Sequence, residues 1–165
     1  MNQKPLREMH WRRFNGVRLQ GDILENIERT IVREREAGHR LKVCIGTDSQ
    51  KRGSRIEFAT VIVFVREKKG GFMFITNYRE RAPMGIKERM ILEVGRSVEI
   101  AYAMCDLLTK YDVELEVHAD INTDPSFKSN KALNEAMGYI LGMGFVFKAK
   151  PEAFASSYCA DKVVH

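Results

Sequence analysis

Apolar residues first recur at helical spacing in Ile23, Leu24, Ile27, Ile31 and Val32, behind Asp22, which suits an N-cap, and ahead of Gly38, which suits a left-handed C-terminal cap. This pattern predicts an amphipathic helix over 22–38. Its other face, with Glu25, Glu28, Arg29, Arg33 and Glu36, reads as a solvated salt-bridge surface. The period then changes. Leu41–Thr47 is short and apolar, Arg55–Val65 is rich in β-branched and aromatic residues, and Phe72–Tyr78 alternates. Their connections, 50–54 and 66–71, are short and contain glycine, so the three strands are expected to form an antiparallel meander. Beyond Pro83, Met90, Val94, Val98, Ala101, Cys105 and Leu108 predict one long helix ending near Lys110. A strand over Val113–Ala119, a helix from about Ser129 to Leu141, a strand over Phe145–Lys148 and a last helix opened by Pro151 complete the order. Strands separated by helices are expected to run parallel to the first through right-handed crossovers. The first twenty residues lack a period and carry Arg7, Arg12, Arg13 and Arg18 beside Trp11 and Phe14, which reads as an arm over the domain.

Composition narrows this picture without changing it. The 165 residues are 44% hydrophobic and 30% charged, the balance of a single globular domain over 1–165. Two lobes closing on a cofactor would not fit. The 27 basic against 22 acidic residues leave +5, which permits an anionic partner without identifying one. Three scattered cysteines, Cys44, Cys105 and Cys159, with no CxxC, read as reduced thiols. The polar, basic opening MNQKPLREMHWRRF has no secretory pattern, so a cytoplasmic location is expected, and no apolar run approaches the roughly 20 residues that cross a bilayer.

The chemistry is suggested by two aspartates. Parallel sheets present ligands beyond the carboxyl ends of their strands. Asp48 closes the first strand in CIGTDSQ, and Asp120 closes the fourth in VHADIN. Either alone reads as a turn-starting Asp. If the two strands are neighbours, the carboxylates share a small volume and call for a cation, as carboxylates do when they hold Mg²⁺ with waters and phosphates.

The strand order, the Thr47-Asp48-Ser49 strand end, Asp120 and a late Asp161 look like the ribonuclease H-like fold. The segments IGTDSQ, HADIN, SNKALNEAMGYILGMGF, KPEAFASS and CADK resemble the bacterial YkuK family of ribonuclease H-like proteins, from about Leu41 onward, and the helix at Asp22 also fits. The resemblance implies an α/β domain with a five-stranded mixed sheet, an antiparallel meander plus two parallel strands, flanked by helices and carrying an extra N-terminal helix. It also implies four acids binding two Mg²⁺ or Mn²⁺ ions for phosphodiester hydrolysis of nucleic acid. Asp48, Asp120 and Asp161 transfer onto three of those positions. The helix acid is to be chosen among Glu88, Glu93 and Glu99. Glu93 is preferred because it shares a helical face with Ser97, Ile100, Ala101 and Met104. Glu88, near the helix start, is the second choice, and Glu99 reads as a solvated acid.

Other polar residues are candidate substrate contacts. Gln50, Lys51 and Arg52 directly follow Asp48, His118 is one pleat from Asp120, and Lys150 ends the fifth strand. The common alternative for His118 is a structural hydrogen-bonding partner, and for Lys150 an ordinary exposed lysine. His10, His39 and His165 form no constellation in the sequence. The expected partner is RNA, DNA or a hybrid, held through phosphates. The rival reading is a binding module that keeps the acids without turnover. A sugar-kinase or actin-like ATPase, suggested by the Gly46-Thr47 strand end, is disfavoured by length.

Overall fold

The computed structural model describes residues 6–121, 134, 135, 138, 141, 142 and 145–165, so the helix expected over 129–141 lies largely outside the described residues. In chain order, the strands are β1 (Arg12–Arg13), β2 (Leu41–Arg52), β3 (Arg55–Arg66), β4 (Gly71–Arg81), β5 (Glu114–His118) and β6 (Val146–Lys148). The helices are α1 (Ile23–Glu36), α2 (Ile86–Lys110) and a π-helical stretch, Ala155–Ala160, that runs on into α3 (Asp161–Val164). The strands form one mixed sheet in the order β1-β4-β3-β2-β5-β6. β2, β3 and β4 pair as the expected antiparallel meander, and β5 and β6 join in parallel.

Three boundaries differ from the sequence expectation. The sheet has a sixth strand, because Arg12 and Arg13 of the arm pair with Ile75 and Phe74 at the β4 edge while Trp11 is buried. β2 does not stop at Thr47. Its pairing with β3 continues to Arg52↔Arg55, so the backbone ladder carries the polar run Asp48–Arg52 as strand. The last helix starts after Ala153 and not at Pro151, since Glu152 N–H closes a turn on the Ala149 carbonyl at 2.8 Å.

Alternation divides the sheet into two faces. Val43, Ile45, Ile62, Phe64, Phe74 and Val117 pack against α1 and α2. Asp22 accepts a hydrogen bond from Leu24 N–H at 2.8 Å and so caps α1, which buries Ile23, Ile27 and Ile31. On the other face Cys44, Val61, Val63 and Ile75 pack against Ala155 and Ala160 of the last helix. That helix crosses β2 at Gly46, where an added Cβ would stand 2.4 Å from backbone atoms of Ala155 and Ser156. Glycine is required there by close backbone approach, and this approach sets the height of everything after Ser156 above the sheet.

Candidate active site

The register puts Asp48 and Asp120 at the same level. β2 and β5 pair in parallel up to Gly46↔His118, and each aspartate lies two residues further on. β5 pairs with β6 up to His118↔Lys148, which carries Lys150 to the same level on the next strand. Gly46 faces the last helix, so Asp48, two residues on, faces it too. Asp161 meets Asp48 there. The two carboxyls share a hydrogen bond, and with His165 they offer ligand atoms all within 4.8 Å of one another. His165 Nε2 lies 3.1 Å from Asp161 Oδ1 and 3.8 Å from Asp48 Oδ2. The Asp48 side chain is 11% exposed, while Asp161 and His165 are each 46% exposed, so the group opens to solvent on one side only.

Glu93 arrives from α2 by a match of periods. Four residues of helix rise about 6 Å, close to the roughly 6.7 Å of two strand residues. Ser97 Oγ lies 2.7 Å from Thr47 Oγ1, which also contacts Thr60 Oγ1 at 2.9 Å, pinning α2 to β2 and β3. One step earlier on both elements, Ser49 Oγ donates to Glu93 Oε1 at 2.5 Å. Arg89, a further turn back, donates from Nε to Ser49 Oγ at 3.0 Å and from a terminal nitrogen to the Ser49 carbonyl at 2.8 Å. Because Arg89 occupies a lone pair of that hydroxyl, the Ser49 proton is directed to Glu93. Glu88 is exposed. Glu99 accepts from the buried Arg96 at 3.1 Å and keeps a side chain 40% exposed.

The electrostatics fit a site that lacks a positive charge. Burial pushes Glu93 up to about 7. The Ser49 hydrogen bond opposes this shift, and the nearby Asp48 charge adds to it. Burial also pushes Asp48 up to about 6, opposed by the Ser49 N–H and reinforced by Asp161. The Ser49 N–H serves both carboxyls. Asp120 is held differently. It pairs with Lys150 Nζ at 2.9 Å and accepts from Ser157 Oγ at 3.0 Å.

The expected substrate contacts are only partly free. Lys51 is exposed and Gln50 is half-buried. Arg52 donates to the Val164 carbonyl at 2.7 Å and pairs with Glu57 at 3.3 Å, so it ties down the last helix. Lys150 is engaged by Asp120. His118 is a correction: it is buried beneath Phe154, out of reach of a substrate. Its Nδ1 accepts from Ala155 N–H at 3.1 Å, which leaves Nε2 as the protonated nitrogen that donates to Glu116 at 3.0 Å. Burial lowers the His118 pKa against the pull of Glu116, in keeping with a neutral ring. Cys44 lies with Glu116 and His118 in a second group of potential ligands. Both ring nitrogens of His118 are engaged within the protein, Glu116 also pairs with Lys42 Nζ at 3.2 Å, and burial pushes the Cys44 thiol up to about 12.

The sequence reading missed Ser49, Arg89, Ser157 and His165. The signals were modest: Arg89 precedes Glu93 by four residues, and His165 follows Asp161 by four, the spacing of one helical face.

The Ribonuclease H-like family model matches residues 22–165. The chain belongs to this family. The ribonuclease H-like fold follows, α1 included in the matched span. Among solved structures, LC11-RNase H1, isolated from compost by a metagenomic approach, is similar at 21% identity over 74% of this chain and 92% of that one, with a TM-score of 0.34. No curated protein matches. Among the described residues of this ribonuclease H-like chain, no helix is long and apolar enough to cross a membrane.

Proposed function

We propose that this ribonuclease H-like protein hydrolyses phosphodiester bonds of nucleic acid with divalent cations held by Asp48, Glu93, Asp161 and Asp120. The observation that carries the reading is the meeting of Asp48, Asp161 and His165, whose ligand atoms all lie within 4.8 Å of one another, with Glu93 held on Ser49, the residue next to Asp48. The donor set fits the group, since carboxylate oxygens suit Mg²⁺ or Mn²⁺. Bound there, the cations would generate a nucleophilic water at neutral pH and stabilise the leaving oxygen. The chain's own part is positional. Asp48 and Asp161 present oxygens from the sheet and the last helix, the Arg89-Ser49 relay fixes the Glu93 carboxylate, and His165 Nε2 stands 3.1 Å from Asp161.

One observation favours the alternative of a binding module. Lys150 already neutralises Asp120, and a carboxylate so paired contributes to a second cation only if Lys150 withdraws.

Cleavage of end-labelled RNA, DNA and hybrid in Mg²⁺, in Mn²⁺ and in EDTA tests the proposal. Metal-dependent products from the wild type, lost in Asp48→Asn, are expected. Binding without cleavage in either metal would establish the module.

A further inference from the structure

The face of the sheet that holds Asp48 is only half covered. Among the described residues, the last helix packs on β2 and β3 and reaches Ile75 in β4. Beyond it, register and alternation place three lateral rows on this face: Asp48, Ala59 and Asn77; then Gln50, Glu57 and Arg79; then Arg52, Arg55 and Arg81. Arg12 of β1 reaches the first row, donating to Asn77 Oδ1 at 2.5 Å. The rows hold five arginines with this one included, against two acids: Asp48 itself, and Glu57, which is taken by Arg52. Arg55, Arg79 and Arg81 are exposed, and no carboxylate among the described residues pairs with them.

The outermost row places Arg52, Arg55 and Arg81 directly opposite one another across three strands. Like charges in directly opposed positions destabilise a sheet. Glu57 offsets the Arg52 charge, so the repulsion that remains is between Arg55 and Arg81, and anionic oxygens lying above them remove it.

We infer that this open basic face, continuous with Asp48, carries the phosphate backbone of the nucleic acid up to the acids, with Arg55, Arg79 and Arg81 as its contacts. The inference rests on the nucleic-acid reading above, and it adds the path of the substrate. At about 3.4 Å per residue and 4.8 Å per strand, the backbone of Arg79 lies about 12 Å from that of Asp48, and that of Arg81 about 16 Å. A duplex strand spans such distances in a few nucleotides, at about 3.4 Å each. Phosphate contacts of this kind position a strand without reading its sequence.

The test is fluorescence anisotropy of a labelled oligonucleotide, single-stranded and duplex, titrated in EDTA over a range of salt. Arg55→Gln/Arg79→Gln/Arg81→Gln is expected to bind at least about tenfold more weakly at low salt. Its slope of log affinity against log salt should be shallower by about 0.7 to 0.9 for each arginine removed. Its thermal midpoint should equal or exceed that of the wild type, and single replacements at Arg79 or Arg81 should shift affinity in the same direction. Arg29→Gln/Arg33→Gln/Arg40→Gln, which removes as many charges from around α1 on the other side of the sheet, should stay within about threefold of wild type. Equal weakening by both triples, or wild-type binding by the first, overturns the inference. Binding that depends on Arg55, Arg79 and Arg81 in a protein that never cleaves would sink the nuclease reading and leave the surface standing. Cleavage that is indifferent to those arginines at subsaturating substrate does the reverse.

Discussion

Glu93 and Asp48 are raised because the fold buries negative charge before any cation is present. Their folded values, about 7 and about 6, lie above the ordinary 4.5 and 3.8. Between roughly pH 4 and 7 these two carboxyls therefore bind more protons in the folded protein than in the unfolded chain, so their contribution to metal-free stability is present in acid and is lost as pH rises through that window. Glu93→Gln should abolish about 2 kcal/mol of this loss, read from urea unfolding at pH 5 and pH 8 in EDTA. An unchanged pH dependence would mean that the Glu93 carboxylate is not raised. Ser49→Ala leaves that carboxylate without its hydroxyl donor and should weaken Mn²⁺ binding by about tenfold, as loss of an orienting partner commonly does. Calorimetric titration giving the wild-type affinity would assign Ser49 to packing alone. Glu93→Gln, at least as stable as wild type at the assay pH, should depress metal-dependent cleavage about 100-fold. Glu88→Gln, at an exposed position, should have little effect, and the reverse ranking moves the helix ligand to Glu88. Asp48, Asp120, Asp161 and Glu93 stand out in the sequence as candidates, and the structure sets Asp161 beside Asp48 and Glu93 on Ser49. Ser49 and Arg89 do not stand out, because they meet across a strand and a helix that only the assembled fold brings together, and His165 shares a helical face with Asp161 without any signal that Asp48 lies beside them.

At the scale of elements, the last helix is the most exposed to failure, since it brings Asp161 to Asp48 across the bare backbone of Gly46. Gly46→Ala should destabilise the protein by about 2 to 3 kcal/mol through overpacking against Ala155 and Ser156. The same change should abolish tight Mn²⁺ binding by lifting Asp161 away. Wild-type stability in Gly46→Ala would mean that the helix does not lie so close. The meander and α2 were legible because their apolar periods are long and their turns contain glycine. β1 was not, since two arginines in an irregular arm have no period and pair only because β4 offers a free edge. The end of β2 was misjudged for a related reason. Asp48, Ser49 and Gln50 look like a turn by composition, yet they alternate between two packed faces, with Asp48 toward the last helix and Ser49 toward α2.

For the whole molecule, Asp48 and Asp161 are brought together only when the last helix docks on the sheet, so cation binding and global stability are linked. If the acids hold a cation only in the folded state, Mn²⁺ at about 100 times its Kd should add about 2.7 kcal/mol to unfolding stability. Asp48→Asn, folded and at least as stable as wild type in EDTA because a repelling charge is gone, should gain little from Mn²⁺. The most direct measurement is anomalous diffraction from a crystal of the wild-type protein soaked in Mn²⁺. The account predicts a peak bonded to both Asp48 and Asp161, within about 2.3 Å of their oxygens. Crystals that take up Mn²⁺ elsewhere, while Asp48 and Asp161 remain hydrogen-bonded to each other, would contradict it.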